Sequence, residues 1–172
     1  MRDPIDFAEL GKNVELKRTQ AIQKKELDEM QRSKAEAEKR IQTYVTKQKA
    51  RGVIKEIKKF CSKNVALFNS HLTLPELRMN VLEKGPDAFL ILKGNGILPK
   101  VTVEIGGNDQ VNVLHWVDIE PTSCVIDIYR INPLGNILDG NDAMPIAPEE
   151  IAVRICKWLA TAEAIRRYHT KK

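Results

Sequence analysis

QVNVLHWVD at residues 110–118, IEPT at 119–122 and SCVIDIYRI at 123–131 decide how this chain folds. Two runs rich in β-branched and aromatic residues, alternating in polarity, flank a proline-containing turn and read as paired antiparallel strands. Pairing Asp118 with Ser123 sets Val117 against Cys124 and Trp116 against Val125. One face of the sheet then carries Val111, Val113, His115, Val117, Cys124, Ile126 and Ile128. The other carries Leu114, Trp116, Val125, Tyr129 and Ile131, with Asn112, Asp118 and Asp127 among them. An antiparallel sheet commonly leaves one face polar and wet. Here the second face is too apolar for that, so it is expected to be covered by the chain's own helices or by another protein chain.

The flanking sequence extends the same pattern. Phe89–Lys93 is a short apolar strand turned by Gly94-Asn95-Gly96, and Lys100–Ile105 alternates Val101, Val103 and Ile105 with Thr102 and Glu104. Gly106-Gly107-Asn108-Asp109 is a hairpin signal, and Asn132-Pro133-Leu134-Gly135 turns into a short strand at Asn136–Asp139. No connection is long enough for a crossover helix, so residues 88–139 are expected to form a four- to five-stranded antiparallel meander. The fold class is α+β.

Helices surround this sheet. Val53, Ile54, Ile57, Phe60, Cys61, Val65 and Phe68 give residues 53–69 a broad core-facing stripe, with Lys55, Lys58, Lys59 and Lys63 mainly opposite. Pro75, the spacing of Leu77, Val81 and Leu82, and the stop at Gly85-Pro86 predict a shorter helix over 75–84. Ala147-Pro148-Glu149-Glu150 opens a C-terminal helix over 148–168, whose stripe is Ile151, Ala152, Ile155, Cys156, Leu159, Ala162 and Ile165. Its other end carries Arg166, Arg167, Lys171 and Lys172, where the helix dipole favours cations. Upstream, residues 1–52 read as a projecting basic helical arm, capped by Asp6 and helical from about Phe7 to Arg51. Leu27, Met30, Ala37, Ile41 and Tyr44 follow coiled-coil spacing for about two and a half heptads, interrupted by Lys34. Residues 53–172 form the α+β domain.

The chain has 172 residues, 30% charged and 42% hydrophobic, with a net charge of +5. That balance is globular. Lys and Arg exceed Asp and Glu by 13 to 9 in residues 1–52, whereas residues 87–145 hold 3 against 8. Cysteines 61, 124 and 156 are odd in number and lack CxxC spacing, which argues against a disulfide framework and for an intracellular, cytoplasmic setting. No apolar leader and no membrane-length run is present in the sequence.

Chemistry has little footing. His71, His115 and His169 have no neighbouring ligand at metal-binding spacing, so neither a metal nor a cofactor is expected. Asp139-Gly140-Asn141-Asp142 reads as a plain turn, and Lys93-Gly94-Asn95-Gly96 leads into a strand rather than a phosphate-binding helix. Cys124 and His115 share a face, but apolar neighbours raise a thiol's pKa, so they read as core residues. Catalysis is not expected. The favoured reading is a non-catalytic protein-interaction or assembly component. It self-associates or docks a protein through Leu27, Met30, Ile41 and Tyr44 on the arm and Leu114, Trp116 and Tyr129 on the sheet. The alternative is nucleic-acid binding through Lys17, Arg18, Lys24, Lys25, Lys55, Lys58 and Lys59, diluted by interleaved carboxylates and by a lack of exposed aromatic pairs. A small enzyme with an unrecognised site is the least favoured.

Overall fold

A computed structural model describes residues 7–94, 99–107, 109–116, 124–140 and 144–169. Helix α1 runs unbroken over Phe7–Ser70, merging the two helices expected on either side of Gly52. A single interior glycine costs about 1 kcal/mol of helix propensity. The buried stripe outweighs it: Ala50, Val53, Ile54, Ile57, Cys61 and Val65 run straight past Gly52 into the core.

The chain divides into two compact units, residues 1–43 and 44–172. In the first unit the described side chains from Ala8 to Gln42 are exposed. Helix formers and local links support it, including Lys25 with Glu29 at 3.9 Å and the Thr19 hydroxyl donating to the Glu15 carbonyl at 3.0 Å.

The second unit begins at Tyr44. Its largest departure from expectation is the segment 75–84, which is not a helix. A single 3-10 turn, Pro75–Leu77, leads into strand β1, Met79–Glu83. Met79 and Val81 point inward while Asn80 and Leu82 are exposed, a period of two rather than 3.6. Gly85, at φ +90°, supplies the left-handed backbone that turns β1 into β2, Ala88–Lys93. The strands that follow are β3 (Lys100–Gly106), β4 (Gln110–Trp116), β5 (Cys124–Ile131) and β6 (Ile137–Asp139). They pair in sequence order as a six-stranded antiparallel meander. Helix α2 spans Pro148–His169.

One face of this sheet is covered. Phe89, Ile91, Val101, Val103, Val111, Val113, Tyr129 and Ile131 form one core cluster with the α1 stripe and with Ile151, Ala152, Ile155 and Leu159 of α2. Asn69, near the end of α1, fastens that helix to the edge strand: its amide donates to the Met79 carbonyl at 2.8 Å and its oxygen accepts from the Met79 N–H at 2.9 Å. Asn69→Ala removes both bonds and leaves two part-buried backbone groups unpaired. It is expected to lower stability by about 1–3 kcal/mol, read as a drop in urea midpoint with an unchanged slope.

The β4–β5 register differs from the sequence reading by one residue. Trp116 pairs with Cys124 and His115 with Val125, so every side chain of β5 takes the face opposite to the one expected. Tyr129 is 2% exposed on the covered face. Cys124, Ile126 and Ile128 lie on the other face with Leu114 and Trp116. Asp6, Asn95, Gly96, Asn108, residues 117–123, Asn141, Asp142, Lys171 and Lys172 lie outside the described residues, as do the side chains of Ile165, Arg166 and Arg167. With them lie the expected cap, several turn assignments and the basic helix end.

Candidate protein-interaction surface

The face turned away from the two helices, which no described helix covers, is built by alternation. In β2, Phe89 and Ile91 enter the core, which sends Leu90 and Leu92 to the opposite side. In β4, burial of Val111 and Val113 sends Leu114 and Trp116 there. Register then aligns these residues across strands. Leu82 pairs with Leu90, Leu90 with Thr102, Thr102 with Leu114, and Leu114 with Ile126. The result is a row crossing five strands, apolar at every position except Thr102. Thr102 is 6% exposed between its neighbours, whereas Leu82 is 44% and Ile126 52% exposed.

Two further rows flank it. On one side run Leu92, Lys100, Trp116 and Cys124, with the Lys100 ammonium 5.4 Å from the Trp116 ring centre. On the other run Ala88, Glu104, Asn112 and Ile128, the last 43% exposed. The water-facing side of an antiparallel sheet is ordinarily polar. This one is greasy across its middle.

Of the residues singled out in the sequence, the fold brings Leu114 and Trp116 together here and removes Tyr129. Burial pushes the Tyr129 hydroxyl up in pKa, aided by Asp127 and opposed by Arg154. Leu27, Met30 and Ile41 are exposed in the first unit, and Tyr44 is exposed at the start of the second. Sequence reasoning missed Leu82, Leu90, Leu92, Ile126 and Ile128. The continuous apolar run AFLIL at 88–92 was the signal available for Leu90 and Leu92, since a strand apolar at every position presents grease to both sides.

The basic residues are divided. Lys17, Arg18, Lys24 and Lys25 belong to the first unit, and Lys55, Lys58 and Lys59 to the second. In the second unit carboxylates offset part of the charge: Lys58 bonds Glu83, while Arg51 and Lys47 meet Asp87 at 2.5 and 3.1 Å. Hydrogen bonds from Arg51 and Lys47 hold the Asp87 carboxyl down at about 2. A carboxylate depressed in this way favours the folded chain above the ordinary carboxylate range, and that contribution is lost as the pH falls toward 2.

His115, 4% exposed, shares a 2.8 Å hydrogen bond between Nε2 and Asp127 and packs against Trp158 at 4.7 Å, with Nδ1 buried and unpartnered. Cys124 lies on the opposite face of the sheet, so the two are not neighbours in the same layer, contrary to the shared face read from the sequence. Burial raises the Cys124 thiol. Cys61 donates to Cys156 between α1 and α2; that bond and burial raise the Cys61 thiol, and the same bond lowers Cys156. A groove of about 590 Å³ lies between α1, the β5–β6 turn and the start of α2, lined by Lys49, Val53, Ile137, Pro145, Ile146 and Pro148. No three His, Cys, Asp or Glu side chains among the described residues are grouped to hold a metal. No described helix is long and apolar enough to cross a membrane.

Comparison of the chain with protein-family models, with curated proteins and with solved structures returns no match.

Proposed function

We propose that the chain is a non-catalytic assembly protein that self-associates through its uncovered sheet face, with the stripe Leu27–Met30–Ile41 of the helical arm as a second contact. The observation that carries this is the cross-strand row Leu82–Leu90–Thr102–Leu114–Ile126, apolar at four of its five positions and exposed at its two ends, Leu82 and Ile126. Apolar surface buried on association contributes roughly 25 cal/mol per Å² before the cost of immobilising two molecules. Five strands at about 4.8 Å spacing and about five residues at 3.3 Å each give a flat footprint of roughly 400 Å². That is about half of the roughly 800 Å² per partner found in standard interfaces. Side-chain relief adds to the flat figure, and the arm offers a further apolar stripe of its own.

The test is sedimentation equilibrium of the full chain over a range of concentrations. A mass above 19.5 kDa, falling toward the monomer on dilution, is the expected result; a monomer throughout overturns the reading. The double change Leu27→Glu with Ile41→Glu alters only exposed positions. It is expected to weaken association by about tenfold, roughly 1.4 kcal/mol, with no change in the thermal unfolding midpoint.

A further inference from the structure

The flanking rows of the sheet face are unlike each other, and their difference constrains how two copies can meet. Two sheets packed face to face and related by a two-fold axis must have that axis in the plane between them. Centred on Thr102, the middle of the five-strand row, the axis has two simple directions. If it ran along the strands, β3 would oppose β3 with each residue facing its own copy. Lys100 would then meet Lys100 and Glu104 would meet Glu104, and β2 would oppose β4, setting Leu92 against Trp116. Like charges would be buried in pairs and the largest side chains would collide.

The other direction, across the strands and along the row, exchanges the two flanks. Lys100 and Glu104 stand two residues either side of Thr102 on β3 and face the same way as it. Turning one copy about the row brings Lys100 of each molecule over Glu104 of the other, twice by symmetry. The same rotation sets Leu92 over Ala88 and Trp116 over Asn112, a large side chain against a smaller one in each case. Leu90, Leu114 and Ile126 meet their own copies along the axis. Charge and bulk are thus complementary in this direction only.

We propose that two copies of the chain pack sheet to sheet about a two-fold axis along the row Leu82–Leu90–Thr102–Leu114–Ile126, with reciprocal Lys100–Glu104 contacts selecting that arrangement. This rests on the self-association proposed above and adds its symmetry and its specificity-determining residues. The crossing angle of about 30° usual for aligned sheets moves residues this close to the centre by only a few ångströms, within the reach of a lysine.

The experiment uses the full-length chain and two charge reversals, Lys100→Glu and Glu104→Lys. Each alone places two like-charged pairs in the interface and is expected to weaken association by at least about tenfold. An equimolar mixture of the two variants restores opposite charges at both contacts, so it is expected to form a mixed dimer within about threefold of the wild-type affinity. Chemical crosslinking with one variant isotopically labelled reads this directly. Loss of the Lys100–Trp116 contact inside one chain cannot produce the rescue, because mixing does not repair it. Three results overturn the arrangement: no weakening by either reversal while Ile126→Glu dissociates the wild type, weakening by both without rescue on mixing, or rescue in a single chain carrying both reversals but not in the mixture. A wild-type chain that is monomeric at every concentration overturns the self-association reading itself.

Discussion

Ile126→Glu is expected to separate the assembly into monomers while leaving the folded chain intact. In one molecule residue 126 is 52% exposed at the outer side of β5, so a carboxylate there remains solvated and costs little. In the proposed pair it lies on the axis opposite its own copy. Two carboxylates would lose water and repel each other with no cation between them. Such a juxtaposition costs several kcal/mol, at least about a hundredfold in affinity. Sedimentation equilibrium reads the dissociation, and circular dichroism reads the intact fold. An unchanged mass would show that this face is not the interface.

The second large effect concerns stability. Phe89 is 1% exposed on the covered face, in one cluster with Ile57 of α1 and Ile155 of α2. Removing its ring both forfeits transfer free energy and leaves a cavity between the sheet and the helices packed on it. Phe89→Ala is expected to cost about 3–5 kcal/mol, a large share of the 5–15 kcal/mol that holds a typical domain together. Its chain neighbour provides the contrast. Leu90 faces the other way, and Leu90→Ala is expected to cost only about 1 kcal/mol in the monomer while weakening association. Urea unfolding at low concentration separates the two. Equal losses at 89 and 90 would contradict the assignment of faces.

The α+β class was legible because two periods dominate the chain. Period two runs through 100–105 and 110–116, and a 3.6-residue stripe runs through 53–68 and 151–162. The identity of β1 was not. Met79-Asn80-Val81-Leu82-Glu83 contains only one β-branched residue and mimics helical spacing with Leu77. Its strand conformation comes from pairing with β2, a tertiary effect that local propensity does not report. Gly52 misled in the opposite sense: a residue that often ends helices sits here in the interior of one, because the stripe it interrupts is buried on both sides of it.

The candidate surface was half legible, for a reason of parity. Leu114 and Trp116 lie on β4, whose facing follows from alternation within a single strand. The facing of β5 depends on the length of its connection to β4. Assuming that Asp118 pairs with Ser123 shifts the register by one residue from the observed Trp116–Cys124 pair. One residue is enough to exchange Tyr129 for Ile126 and Ile128. Nothing in the composition of the turn reports that shift, which places Tyr129 in the core cluster.

Trp116 and Trp158 are the chain's two tryptophans, so Trp158→Phe leaves an indole at the proposed interface as the sole reporter. Its emission and its quenching by acrylamide, followed on dilution, test most directly whether protein covers the greasy side of the sheet. A shielded, blue-shifted indole is expected at high concentration, becoming red-shifted and quenchable over the same range in which the mass halves. An indole equally open to acrylamide at every concentration would contradict it.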